Sequence, residues 1–170
     1  MISGAESCIE CTGITVPWGG EGQTKEWLNM VMVYRPPRVP GSEADEGNTS
    51  RLIQSLGTLE GKNVIFGDFN MPDIDWERNW SSRAGDSMLL DLLGDKFWHQ
   101  VVREPTHRDG NILDLVIPSS PELVASVETV GYLAPTADHS MQVTTLVGPA
   151  RDSMSMEEVP DWSKADYGLP

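Results

Sequence analysis

The sequence predicts an α/β (α+β) fold, a sandwich of β-sheets covered by helices. Three observations carry this reading. Helix-period and strand-period segments alternate along the chain, which is the pattern of sheets that bury one face against helices. The alternation is uneven and several strand segments lie close together, which argues for mixed sheets over a regular doubly wound parallel sheet. The 170 residues, 39% hydrophobic and 22% charged, are enough for one domain with a real core and too few for two ordinary ones.

The elements follow in order. Residues 26–34, EWLNMVMVY, form a short apolar run ending in an aromatic, a strand that RPPRVPG stops. Residues 41–47 are acidic and loop-like, and Asn48 is a candidate N-cap for NTSRLIQSLGTLE, where Leu52, Ile53, Leu56 and Leu59 share one helical face. Residues 64–66 form a short buried strand. Residues 82–98 carry Met88, Leu89, Leu92, Leu93 and Phe97 at helical spacing, with Gly94 weakening the last turn. Strands follow at 112–117, 123–132 and 140–147. Past Pro149 the pattern fails, so the reading is one domain over 1–149 and a polar, proline-punctuated linker or tail over 150–170.

Charge and composition narrow the function. The formal net charge is −14, which argues against a broad basic surface for nucleic acid. It suits a site that gathers carboxylates around a divalent cation. No apolar run approaches a membrane span, and residues 1–12 lack the basic and apolar regions of a secretory signal. The expectation is a nuclear or cytoplasmic protein, not secreted and without a membrane partner. Cys8 and Cys11 form a lone C-x-x-C without a second pair, and read as ordinary reduced thiols near a chain end.

Four stretches carry chemistry. In VIFGDFN, Asp68 and Asn70 follow a buried strand; two residues apart on an extended segment, they would project together from its C-terminal end. An acid there can orient and deprotonate water, and an amide can bond a phosphate oxygen without adding negative charge. The same residues equally suit a plain strand-end turn. Asp138–His139 can supply a metal ligand and a titratable imidazole, or simply a solvated turn. In PTHRDGNILDLVI, Asp114 interrupts an apolar strand, which is costly for a carboxylate unless it is bonded, paired or at an edge. Thr106, His107 and Asn111 sit in the polar loop just upstream. In VYRPP, Tyr34 ends a strand and is either a core or edge tyrosine or a phosphate donor.

The order of these stretches is more specific than any one of them. VYRPP, GDFNMPDIDW, PTHRDGNILDLVI and ADHSMQV together resemble the endonuclease/exonuclease/phosphatase superfamily. Their wording resembles the endonuclease domain of jockey-type (LINE-like, non-LTR) retrotransposons. The tail VPDWSKADYGL is similar to the segment that leads from that domain to a reverse transcriptase.

The resemblance implies a four-layer sandwich of two mixed β-sheets flanked by helices. It implies phosphodiester hydrolysis with Mg2+ or Mn2+, here as a DNA-nicking endonuclease, with DNA as partner and a reverse transcriptase domain in a longer parent chain. By position, Asp68 matches the acid acting on the attacking water and Asn70 the amide at the phosphate. His139 matches the histidine on the scissile phosphate and Asp114 the acid bonded to it. Asp138 matches the acid near the metal, and Tyr34 the phosphate-contacting tyrosine. Asn111 and Thr106 match substrate-binding positions.

The chain also departs from that pattern. The family starts with a strand carrying an Asn and later a strand ending in the metal-binding Glu, and residues 1–17 show neither. Glu6 and Glu10 are acids outside that context. SCIECTGITVPWGG resembles a middle part of the domain, so the expectation is an N-terminally truncated copy that lacks the first strands, binds metal weakly and is impaired. The alternatives are a non-catalytic remnant that binds without hydrolysis, or an enzyme acting on a non-nucleic phosphoester.

Overall fold

The computed structural model describes residues 9–19, 26–38 and 43–148. The tail over 150–170 and Cys8 lie outside the described residues. The elements are β1 (Glu10–Pro17), β2 (Trp27–Tyr34), α1 (Glu43–Gly57), β3 (Lys62–Asp68), α2 (Ala84–Lys96), β4 (Asp114–Pro118), β5 (Val124–Tyr132) and β6 (Ser140–Leu146), with a 3-10 turn at Pro121–Leu123.

Two sheets result. The first is mixed, in the order β1-β2-β3-β4: β1 runs antiparallel to β2, β2 parallel to β3, and β3 antiparallel to β4. The second pairs β5 with β6 antiparallel, with irregular register near both ends of the ladder.

The period-2 alternation of the strands divides the core in two. Val31, Val33, Ile65, Leu115 and Ile117 face the helices, where they meet Leu52, Ile53 and Leu56 of α1 and Leu89, Leu90 and Leu93 of α2. Leu28, Val64 and Val116 face the other way, toward Leu123, Val124, Val127 and Leu146. Helix pair, mixed sheet and second sheet therefore stack as three layers among the described residues. No described helix is long and apolar enough to cross a membrane.

Two local expectations change. Residues 43–47 are the start of α1, not a loop, so Asn48 lies within the helix, where its Oδ1 accepts a hydrogen bond from Arg51. The acidic EADE composition suits a first helical turn, whose free N–H groups favour negative charge. Phe97 does not join the apolar face of α2. It sits at the C-cap in the left-handed region (φ 55°) and is 80% exposed, while Trp98 folds back into the core. The turn closes with Trp98 N–H donating to the Leu93 carbonyl.

Candidate active site

The register of the first sheet builds the site. Tyr34 pairs with Asp68, and Asp68 with Asp114. Directly paired residues share a face, so the three side chains form a row across β2, β3 and β4. They point to the side of Val64 and Val116, toward β5 and β6. Glu10 of β1 pairs with Tyr34 and extends the row by one exposed carboxylate. No local signal in the sequence marks that position.

Gly67 explains why β3 can carry an acid into this row. Its φ is +135°, and a Cβ there would overlap the Val33 carbonyl of β2. Only glycine lets the two backbones approach this closely.

Beyond Asp68 the chain turns sharply. Asn70 has φ +45°, so Asp68 and Asn70 are not neighbours on an extended segment as expected. They meet because the chain folds back. Asn70 donates its backbone N–H to Asp68 Oδ1 at 3.0 Å and its Nδ2–H to Asp68 Oδ2 at 2.8 Å. The second Nδ2 hydrogen goes to the Arg35 carbonyl at 2.7 Å. The whole amide donor capacity of Asn70 is thus engaged in holding the acid and the loop, and its Oδ1 is what remains available.

Arg35, read in the sequence only as part of a strand stop, anchors this turn. It is fully buried. Its guanidinium donates to the Asn70 carbonyl at 3.0 Å and to Thr49 Oγ1 at 3.2 Å, while its N–H donates to the Asp68 carbonyl. Burial of a guanidinium is costly without such acceptors.

On β4, Asp114 Oδ2 lies 2.8 Å from His139 Nδ1. His139 Nε2 is then directed at Asp68, 3.9 Å from its Oδ2. Burial raises the Asp68 pKa to about 6; the Asn70 backbone hydrogen bond opposes this, nearby Asp114 adds to it, and His139 and the Asn70 side chain oppose it. For His139, burial pulls the pKa down, but the Asp114 hydrogen bond and the charges of Asp114, Asp68 and Asp138 outweigh it and raise the value.

The loop before β4 is organised by Thr106. Its hydroxyl accepts the backbone N–H groups of Leu113 and Asp114 at 2.9 and 3.0 Å, and its carbonyl accepts the N–H and the Oγ–H of Ser140. The Thr106 side chain is fully buried and its hydroxyl oxygen accepts both of these bonds, so it shapes the loop. The Asn111 carbonyl accepts the N–H groups of Thr106 and His107. The Asn111 side chain lines a cavity of about 340 Å3 with Trp76 and Arg103.

Arg108, not singled out by its sequence, clamps the loop that presents Asp138 and His139. It donates through its side chain to the Pro135 and Ala137 carbonyls and through its N–H to the Asp138 carbonyl. His107 sits opposite His139 in an isolated antiparallel bridge, with the rings edge to face at 4.9 Å. Tyr34 is 44% exposed and Asp138 presents an exposed carboxylate.

Tyr34, Asp68, Asn70, Asp114 and His139 therefore come together. Asp138 lies beside His107 and close to His139. One acid near neutral pKa, one imidazole held by a second acid, and an exposed phenol form a cluster that can exchange protons with a bound phosphoester. Three carboxylates would repel such an anion unless a cation accompanied it.

A family model described as endonuclease-reverse transcriptase matches residues 28–142. Among solved structures, the chain resembles the endonuclease domain of TRAS1, a telomere-specific non-LTR retrotransposon, at 19% identity and a TM-score of 0.52. That match covers 82% of this chain and 61% of the other, so the chain spans less than two thirds of that relative's length. It also resembles the 3' phosphatase NExo from Neisseria, bound to a product DNA hairpin, at 14% identity and a TM-score of 0.56, covering 82% of this chain and 79% of that one. At these identities the likeness shows the fold. No curated protein matches the sequence.

Proposed function

Since the chain belongs to the endonuclease-reverse transcriptase family, we propose that it hydrolyses phosphodiesters in DNA as the nicking domain of a retroelement, with a divalent metal ion. The single observation that carries this reading is the cross-strand row of Tyr34, Asp68 and Asp114 closed by the 2.8 Å contact from Asp114 to His139.

The roles follow from the geometry. Asp68, with a pKa of about 6, takes a proton from the attacking water near neutral pH. The two hydrogen bonds from Asn70 hold that carboxylate in place. Asp114 orients the His139 ring, whose Nε2 then faces the phosphoryl oxygens. The Tyr34 hydroxyl donates to a non-bridging oxygen, and Asn111 reaches the substrate strand beyond.

The donor set suits a hard cation. The ligand atoms of Asp68, Asp114 and His139 lie within 4.8 Å of one another, while Asp138, the acid matched by position to the metal, groups with His107 and His139. A bound Mg2+ or Mn2+ would supply Lewis acidity to the phosphoryl oxygen. Both Asp68 oxygens and one Asp114 oxygen are already hydrogen-bonded, so we expect weak metal affinity and slow turnover. The reading extends to DNA as partner, a reverse transcriptase domain in a longer parent chain, and a nuclear or cytoplasmic site of action.

A second reading is a binding module without hydrolysis, favoured by the net charge of −14 and by these engaged carboxylates. Nicking of supercoiled plasmid with Mg2+ and with EDTA separates the two. Mg2+-dependent nicking lost in Asp68→Ala and His139→Ala supports the nuclease. No nicking by the folded chain supports the binding module.

A further inference from the structure

We propose that Tyr132 and Arg108 form a nucleotide-holding subsite beside His139, in which the phenol ring stacks on an unpaired base and the guanidinium holds a neighbouring phosphate. The subsite deepens the DNA reading above and rests on it. Neither residue belongs to the row of Tyr34, Asp68 and Asp114.

A β-bulge places the ring. Thr129 of β5 pairs with Gln142 of β6, yet Tyr132 pairs with Ser140, so three steps on β5 match two on β6. The extra residue lies between them, where Gly131 has a φ of +89°. In even register Gly131 would stand opposite Ser140. The bulge instead turns Tyr132 to the face of Ser140, whose hydroxyl donates to the Thr106 carbonyl. That face leads to the loop carrying Arg108, and the guanidinium lies over the Tyr132 ring at 5.4 Å.

The guanidinium is fixed but only partly used. Its bonds to the Pro135 and Ala137 carbonyls both come from Nη2. No described residue accepts from its Nε–H or its Nη1 hydrogens. A loop clamp needs only Nη2. A held guanidinium with donors to spare matches the oxygens of a phosphate. The backbone sets it close to the chemistry: Arg108 N–H donates to the Asp138 carbonyl, and the preceding His107 bridges His139. In a chain of net charge −14, this cation offsets the repulsion that the site's carboxylates offer a DNA strand.

The apolar side of the subsite is open. Tyr132 stays 47% exposed with Arg108 over it, and the next residue, Leu133, is 79% exposed. An exposed aromatic ring backed by a cation is a platform for a base, and an aliphatic neighbour can wedge beside it. A paired base must first leave the helix to reach such a ring, a cost that an unpaired base avoids.

The test is fluorescence anisotropy of two labelled DNA duplexes with the full chain in EDTA, one fully paired and one with a single unpaired nucleotide. The parent chain should bind the second about fivefold or more tightly. Tyr132→Ala should remove that preference and Tyr132→Phe should keep it. Arg108→Gln should lower the slope of log affinity against log salt by about one, and Arg108→Lys should not. A role in loop packing alone would move neither the preference nor the slope. Equal binding of both duplexes by the parent chain, a preference unchanged in folded Tyr132→Ala, or a slope unchanged in Arg108→Gln would overturn the proposal. If Tyr132→Ala does not fold, the salt slope of Arg108→Gln decides it. Nicking with Mg2+ is read separately. A parent chain that shows the preference without nicking keeps the subsite and loses the hydrolysis; one that nicks without the preference keeps the hydrolysis and loses the subsite. Binding to neither duplex overturns the subsite and the DNA reading together.

Discussion

Asp114 Oδ2 and His139 Nδ1 lie 2.8 Å apart across 25 residues of sequence, and that contact governs the charge of the imidazole. Asp114, Asp68 and Asp138 together outweigh the burial that would discharge the ring. A folded pKa above the ordinary histidine value gives stability that is fully present below that ordinary value. It is lost as pH rises through the raised one. Imidazole NMR should therefore find the His139 midpoint above that of a free histidine. Asp114→Asn should bring it down. A midpoint indifferent to that substitution would mean that the contact does not control the ring.

Asp68 gives the opposite balance of stability and function. Burial lifts its carboxyl from 3.8 to about 6. Its contribution to stability is complete below 3.8 and is lost as pH rises through about 6. In EDTA, Asp68→Asn should lose one of the two hydrogen bonds from Asn70 but gain stability relative to the parent chain as pH rises from 4 to 7, because it carries no buried charge. Plasmid nicking should fall by at least about 100-fold. Denaturant melts at pH 4 and pH 7 check the first part. The gain should shrink at the lower pH.

Gly67→Ala should be severely destabilising. The added Cβ meets the Val33 backbone and the φ of +135° is strained for any other residue. We expect a loss of at least about 3 kcal/mol, from strain and overpacking together. A midpoint unchanged in urea would mean that β2 and β3 separate more easily than their register implies.

Arg35→Met should also destabilise, by about 2–4 kcal/mol, because carbonyls of the Phe69–Asn70 turn and the Thr49 hydroxyl lose a buried donor. Amide exchange at Asn70 should accelerate more than exchange in α2. Uniform acceleration across the chain would show a global effect instead of release of this turn.

Arg108→Ala should leave the core intact and loosen the loop from Pro135 to His139. Nicking should fall about tenfold or more through misplacement of His139. Arg108→Lys should restore part of the rate, since an ammonium can still reach one carbonyl. Thermal unfolding close to wild type in both variants would separate this positioning effect from a general loss of stability.

Much of the architecture was legible in the sequence because it rests on local periodicity. Residues 27–34, 62–68, 114–118 and 140–146 form strands near where the apolar runs fall, and α2 follows its spacing of leucines. The start of α1 was misread because acidic, glycine-containing segments suit loops and first helical turns alike. Phe97 was misplaced because helical spacing continues past the residue where the backbone turns left-handed. Asp68, Asn70, Asp114 and His139 were legible as types and as an ordered set of motifs. Arg35, Thr106 and Arg108 were not legible in their roles, since their partners are backbone groups far away in sequence.

The sequence by itself determined which segments become strands and helices, and which residues carry acid, amide, imidazole and phenol. The tertiary structure decided that Tyr34, Asp68 and Asp114 stand in one row, that Asn70 turns back on Asp68, and that His107 joins His139. Those outcomes depend on cross-strand register, one left-handed residue and buried backbone acceptors. They are settled by long-range hydrogen bonds and packing, which local periodicity does not encode.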